Sequence, residues 1–274
     1  MTQSSPTPVV APWEGREKTK KKRLLFFLFF PKVSVSSTRA WSGAGWLLYL
    51  AGSVGYLCAD LVPSHVPDWF WLFLALLFVV DALLYLAAWF CSPNASLDLW
   101  CWSELVNVAA SVFCAVAAGL FLLDLPRDSA LAAQTFLQLE SSLYFTGTTL
   151  FLFNSLMTAS LFVRSSPGAP LFRDPAWHAE LFNLLPALGY FATGVLRLAC
   201  TVQLASLHDS SDALFAASLR LIRFCRSVNI LFDVMYVFDA LCYAAVWVAE
   251  QTPDVPSIGP MPLTTRKPGD FGAL

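Results

Sequence analysis

Long stretches of apolar residues, separated by short polar segments, dominate the chain after residue 40. Each stretch is roughly 20–25 residues long, enough to cross about 30 Å of hydrocarbon at 1.5 Å per helical residue. Because backbone groups inside lipid must form hydrogen bonds within their own segment, these stretches predict transmembrane helices. The six predicted spans lie at about 42–62, 68–91, 102–123, 141–163, 179–204 and 227–249.

Most links between the predicted spans are short and contain proline or glycine, so consecutive helices are predicted to run antiparallel. The longer link at 205–226 is the exception, and its second part, 212–226, predicts a surface helix that leads into the sixth span. The predicted organisation is a disordered basic N-terminus at 1–23, a short interfacial segment at 24–40, a six-span membrane domain at 41–250 and an irregular C-terminal tail at 251–274.

The composition agrees with a membrane location. Hydrophobic residues make up 57% of the chain and charged residues 13%, and the mean hydropathy is +0.61. A soluble domain carries about 25% charged residues, so lipid is expected to be the solvent for much of this apolar surface. The predicted fold class is therefore all-α: a multi-pass transmembrane helical bundle of about six spans with internally repeated hairpins.

One helix pattern occurs twice in the chain. Residues 78–90 have the sequence FVVDALLYLAAWF, and residues 236–248 have the sequence YVFDALCYAAVWV. The alignment pairs the following residues: Asp81 with Asp239, and Tyr85 with Tyr243. Each copy places a carboxyl group inside a predicted membrane span.

The first and fourth spans carry glycine at the aspartate position, again between two aromatic residues. These glycines are Gly52 and Gly147. A small residue between two aromatic rings makes a notch into which a neighbouring helix can pack, which is how helices associate in lipid. Both glycines are therefore predicted helix-packing notches.

The third and fifth spans share a second pattern, Glu-Leu-x-Asn, at 104–107 and 180–183. Together with the notched helices that follow, they predict that spans 3–4 and 5–6 are duplicated hairpins. Each glutamate lies close after a tryptophan at a span end. Glu104 and Glu180 are therefore predicted to lie with these tryptophans at the lipid headgroups.

A resemblance to a known family rests on one short segment. Residues 46–53, WLLYLAGS, resemble the second helix of small bacterial two-helix membrane modules of the YrhK type, which has the form W-L-F-x-x-G-S. A looser copy follows Tyr144, whereas Asp81 and Asp239 replace the glycine of that pattern. The resemblance implies an architecture of repeated two-helix units, and it implies nothing about a reaction or a substrate.

The intramembrane carboxyl groups are the sharpest candidates for a functional site. A charge at the bilayer centre costs about 3 kcal/mol on insertion scales, so such residues usually face the interior of a bundle. Asp81 and Asp239, with Asp233 nearby and Tyr85 and Tyr243 as hydroxyl partners, predict a proton or cation site. The alternative is a structural hydrogen bond between helices that ties the two halves of the bundle together.

Arg197, toward the end of the fifth span, belongs to the same candidate polar site. The sequence leaves its role open between a salt bridge to Asp60, a salt bridge to Asp239, and extension of the side chain to the membrane surface.

The distribution of basic residues predicts the orientation. Most of the 17 Lys and Arg residues fall on the side of the N-terminus, so both termini are predicted to be cytoplasmic, or on the equivalent side of an organelle membrane. Anionic lipid headgroups are the predicted partners of the surface basic residues, and nucleic acid is not. These residues are Lys20, Lys21, Lys22, Arg23, Arg220, Arg223 and Arg226.

The sequence contains no hydrolase, nucleotide-binding or metalloprotease motif, so no enzyme activity, metal or cofactor other than bound lipid is predicted. The leading prediction is a non-enzymatic structural or accessory subunit that contacts other membrane subunits. The alternative is a small transporter or channel that uses Asp81 and Asp239. A transporter requires a polar cavity lined by both aspartates, whereas an accessory subunit requires a closed bundle.

Overall fold

The computed structural model describes residues 35–91, 98–120, 122–123, 130–165, 175–207 and 211–251. The predicted N-terminus at 1–23, most of the predicted segment at 24–40 and all but the first residue of the predicted tail at 251–274 lie outside this part of the chain. Six helices make up almost all of the described residues: α1 (Val35–Leu61), α2 (Asp68–Cys91), α3 (Leu99–Leu120), α4 (Ala130–Ser165), α5 (Pro175–Leu207) and α6 (Ser211–Gln251), with a short 3₁₀ turn at Pro63–His65 between α1 and α2.

The six helices form a closed ring. Each helix packs antiparallel against the next one in the chain, and α6 returns to pack against α1. We call the end of the ring at which α1 begins the proximal end, and the end that carries the turn between α1 and α2 the distal end. The all-α helical bundle predicted from the sequence is confirmed.

All six helices are long and apolar enough to cross a membrane. Two of them begin more than ten residues before the predicted spans: α4 starts at Ala130, and α6 starts at Ser211. The predicted surface helix at 212–226 is therefore continuous with the sixth span. At 1.5 Å per residue, the 36 residues of α4 and the 41 residues of α6 extend about 54 Å and 62 Å. Both exceed the roughly 30 Å of a hydrocarbon core.

The extra length of α6 lies at the distal end. Asp233 on α6 faces Asp60, which lies one residue before the end of α1. The residues of α6 that precede Asp233 therefore continue past the end of α1. The start of α4 and the end of α5 accompany them, as the contact between Ser141 and Thr201 shows.

The ring has an apolar outside and a polar inside. Large apolar side chains such as Leu83, Phe153 and Leu231 are exposed on its outer surface. The buried apolar residues are mostly alanines, and many polar and charged side chains are buried as well. In lipid this arrangement is the favourable one, since apolar surface needs no burial and polar groups do.

Two glycines lie at close helix contacts. A Cβ atom at Gly147 on α4 would come within 2.5 Å of the Cys114 sulfur and 3.1 Å of the Ala110 carbonyl oxygen on α3. A Cβ atom at Gly52 on α1 would come within 2.9 Å of the Phe78 ring on α2. The contact at Gly147 includes backbone atoms, so a side chain there has little room to be accommodated.

We predict that Gly147→Ala destabilises the bundle by about 1–3 kcal/mol, because the added methyl group overlaps the backbone of α3. Gly119→Ala on α3 is the matched control, since its Cβ atom would lie 3.8 Å from the nearest side-chain atom, on Leu72. Thermal unfolding of the detergent-solubilised protein measures both effects. Equal melting temperatures for the two variants would contradict the assigned contact.

Candidate functional site

A cavity of about 300 Å³ lies inside the ring and is lined by residues from all six helices. All seven tyrosines of the chain line it. The other polar residues of the lining are mainly carboxylic acids, asparagines and arginines. The carboxylic acids are Asp60, Asp81, Glu104, Glu140, Glu180, Asp233 and Asp239; the asparagines are Asn107, Asn154, Asn183 and Asn229; the arginines are Arg197 and Arg226.

The lining follows from helical periodicity. On α6 it runs through Arg226, Asn229, Asp233, Tyr236 and Asp239, at intervals of three or four residues. Residues with this spacing lie on one face of a helix. Each helix thus turns one polar stripe to the cavity and its remaining faces to neighbouring helices or lipid.

Every member of the predicted intramembrane site lines the cavity. Asp81, Asp239, Asp233, Tyr85 and Tyr243 are all in the lining. The hydroxyl groups that bind the aspartates are nevertheless not the predicted ones. The Tyr49 hydroxyl donates a 2.5 Å hydrogen bond to Asp239. The Tyr190 hydroxyl donates to Asp233.

Arg197 forms a buried ion pair with a residue that the sequence reasoning missed. Its Nη2 atom lies 2.6 Å from Oε2 of Glu140, and the guanidinium carbon lies 4.9 Å from the centre of the Tyr144 ring. The expected salt bridges to Asp60 or Asp239, and the expected extension to the membrane surface, are therefore wrong. Glu140 was missed because the fourth span was predicted to begin at about residue 141. The signal in the sequence was that Glu140 precedes Tyr144 by four residues, which places both side chains on the same face of a helix.

The three arginines of α6 divide between the two sides of the helix. Arg220 and Arg223 are exposed, as a surface basic helix requires. Arg226 differs from the prediction, because its guanidinium carbon lies 3.9 Å from the centre of the Trp71 ring and the residue lines the cavity. The other predicted surface residues, Lys20, Lys21, Lys22 and Arg23, lie outside the described part of the chain.

A carboxyl pair completes the distal half of the cavity. The side chains of Asp60 on α1 and Asp233 on α6 lie close together. The distal half therefore holds three carboxyl groups, including Glu140, together with the two arginines of the lining.

Four carboxyl groups occupy the proximal half. They are Asp81, Glu104, Glu180 and Asp239, and all four line the cavity. The Tyr243 hydroxyl also donates a 3.1 Å hydrogen bond to Glu180. The expectation that Glu104 and Glu180 lie at the lipid headgroups is wrong, since both line the cavity. We call these four residues the proximal carboxyl cluster.

Several carboxyl oxygens of the lining have no hydrogen-bond partner although they are buried. Three of these residues belong to the proximal carboxyl cluster, and their exposed fractions are 4% for Asp81, 7% for Glu180 and 0% for Asp239. The unpartnered atoms are Oδ1 of Asp81, Oε2 of Glu180 and Oδ1 of Asp239. A buried oxygen without a partner is costly, so a cation or hydrogen-bond donor in the cavity would stabilise it.

The carboxyl groups do not converge on a single point. Among the described residues, no group of three or more His, Cys, Asp or Glu side chains is arranged to hold a metal ion. Their spread along the wall instead suits a ligand with several atoms or several protons.

Comparisons of the chain with protein-family models, curated proteins and solved structures found no match. The resemblance to YrhK-type modules therefore stays a prediction.

We predict that Arg197→Met destabilises the protein by about 3–5 kcal/mol, because it leaves the Glu140 charge buried without its partner. The double variant Arg197→Met with Glu140→Leu is expected to recover most of this loss, since no buried charge remains. Thermal unfolding in detergent measures the change. Arg220→Met is the control and should shift stability by no more than about 0.5 kcal/mol, because Arg220 is exposed. A double variant as unstable as the single one would refute the pairing.

Proposed function

We propose that this protein is a small membrane transporter or channel for a cation, and that the central cavity is the binding site on its path. The observation that carries the proposal is the composition of the lining: seven carboxyl groups and two arginines, presented by six helices around one cavity. Ionisable residues inside membrane helices are costly to insert and usually mark an ion or substrate path.

The charge balance supports a cation rather than an anion. Carboxyl groups outnumber arginines in the lining, and both arginines are already engaged with residues of the distal half. An anion would meet repulsion from the proximal carboxyl cluster, whereas a cation or protons would neutralise it. For the proposed role the cavity must position and desolvate the cation, and no covalent bond has to form or break.

The accessory-subunit hypothesis is the alternative to be tested. It requires a closed bundle in which Asp81 and Asp239 only tie helices together. Support for the transport proposal comes from the polar cavity that both residues line and from the unpartnered oxygen that each presents. A hydrogen bond that only ties two helices together requires neither feature.

We predict that the purified protein reconstituted in liposomes carries protons or methylammonium, driven by an imposed membrane potential. Asp81→Asn and Asp239→Asn should each reduce the flux by about tenfold or more, the factor that corresponds to one charged hydrogen bond. An entrapped pH-sensitive dye and labelled methylammonium measure the two fluxes.

Asp68→Asn and Asp212→Asn are the matched controls for this experiment. Both aspartates are exposed near the distal ends of their helices, so their replacement should leave the flux unchanged. If the wild-type protein carries neither probe and purifies from its native membrane only in a larger stoichiometric complex, the accessory-subunit hypothesis replaces the proposal.

We also propose that the proximal end of the ring faces the cytoplasm or the equivalent organelle compartment, because most basic residues of the chain fall on that side. An epitope tag fused to the C-terminus should then be protected from protease added to intact cells and be cleaved after permeabilisation. Cleavage of the tag in intact cells would reverse the orientation.

A further inference from the structure

The proximal carboxyl cluster is built from four different helices. Asp81 lies on α2, Glu104 on α3, Glu180 on α5 and Asp239 on α6. The cluster divides by helix contact into two Asp–Glu pairs: α2 packs against α3 and α5 packs against α6, whereas α4 lies between α3 and α5 and α1 lies between α6 and α2.

Within the described part of the chain, no basic side chain lines the proximal half of the cavity. The arginines of the lining lie in the distal half, where Arg197 contacts Glu140 and Arg226 contacts Trp71. Asp81, Glu180 and Asp239 are each at least nine-tenths buried, and each keeps one oxygen without a hydrogen-bond partner. Like charges this close and this buried repel one another unless a ligand or protons neutralise them.

The geometry argues against a bare metal ion as that ligand. Calcium takes six to eight oxygen ligands around one point, and magnesium requires a near-octahedral set. No described set of three carboxyl, thiol or imidazole groups converges in this way. Two separated Asp–Glu pairs instead match two separated positive charges.

Aromatic side chains also line the cavity near the cluster. Tyr85 lines the cavity one helical turn after Asp81 on α2. Trp89 and Trp100 line the cavity on the side of α2 and α3. Aromatic faces attract ammonium groups and also provide apolar contact for a hydrocarbon chain.

We propose that the proximal carboxyl cluster binds an aliphatic organic cation with two ammonium groups, one held by Asp81 and Glu104 and the other by Glu180 and Asp239. The inference rests on the proposed function, because it names the class of solute that the same cavity takes. Each ammonium group would donate hydrogen bonds to the carboxyl oxygens, and the methylene chain would lie along the tyrosine and tryptophan rings.

The test is calorimetric titration of the purified wild-type protein, in detergent at neutral pH, with 1,4-diaminobutane, butylamine and calcium in separate runs. The diamine is expected to bind about tenfold or more tightly than butylamine, because only the diamine reaches both pairs. Binding of calcium in place of the diamine, or equal affinity for the diamine and butylamine, would overturn the proposal.

Variants test the assignment of the two ends. Asp81→Asn and Asp239→Asn should each reduce the affinity for the diamine to about that of butylamine, and Asp212→Asn, at an exposed site, should leave it unchanged. Glu180→Gln is a second variant at the end that Asp239 also binds, and it should reduce the affinity for the diamine in the same way. If these variants fail to fold, a series of wild-type titrations with diamines of increasing chain length decides the matter: an optimum length supports two fixed ends, and a flat dependence overturns them.

The liposome experiment separates this inference from the proposed function. Proton flux that depends on Asp81 and Asp239, without diamine binding, leaves the transport proposal in place and overturns the diamine site. Diamine binding that depends on both aspartates, without flux of protons, methylammonium or labelled diamine, supports the site and overturns transport.

Discussion

The structure depends on the contact between α1 and α6 that closes the helix ring. Without it, the carboxyl groups of α6 would face lipid, where each charge costs about 3 kcal/mol or more. Polar side chains meet across this contact: the Tyr49 hydroxyl donates to Asp239, and Asp60 lies close to Asp233. The residues that would be most costly in an open bundle are therefore the ones that hold the first and last helices together. Contacts between polar groups inside the ring thus hold the helices together, as the apolar core does in a soluble protein.

The cavity is divided into two halves that differ in charge. In the distal half, Arg197 contacts Glu140 and Arg226 lies over Trp71, close to the carboxyl pair of Asp60 and Asp233. In the proximal half, the proximal carboxyl cluster is surrounded by hydroxyl groups and aromatic rings. The distal half can thus be stabilised by the protein alone, whereas the proximal half gains stability from a cation that the protein itself does not provide. This difference connects the fold to the proposed binding of a cationic solute.

The outer surface of the ring restricts the choice of side chain less than the inside does. Lipid accepts almost any apolar side chain, and leucine, valine, phenylalanine and tryptophan are all exposed there. Close approach between helices is instead controlled by small residues, with alanine prevalent among the buried apolar positions and Gly147 against the backbone of α3. The helices can therefore come near enough for tyrosine and carboxyl groups of adjacent helices to meet at hydrogen-bond distance.

The sequence by itself determined the all-α fold, the number of spans and the inward position of Asp81, Asp239 and Asp233, because lipid allows only helices and excludes charge from their outer faces. It did not determine which groups meet. The pairing of Arg197 with Glu140, the inward turn of Arg226, and the position of Glu104 and Glu180 in the cavity depend on the rotation and length of each helix. Hydropathy reports neither the rotation nor the length of a helix, because it is averaged over several turns and becomes low near the ends of a span. Only the packing of six helices around one axis decided which polar stripes face each other.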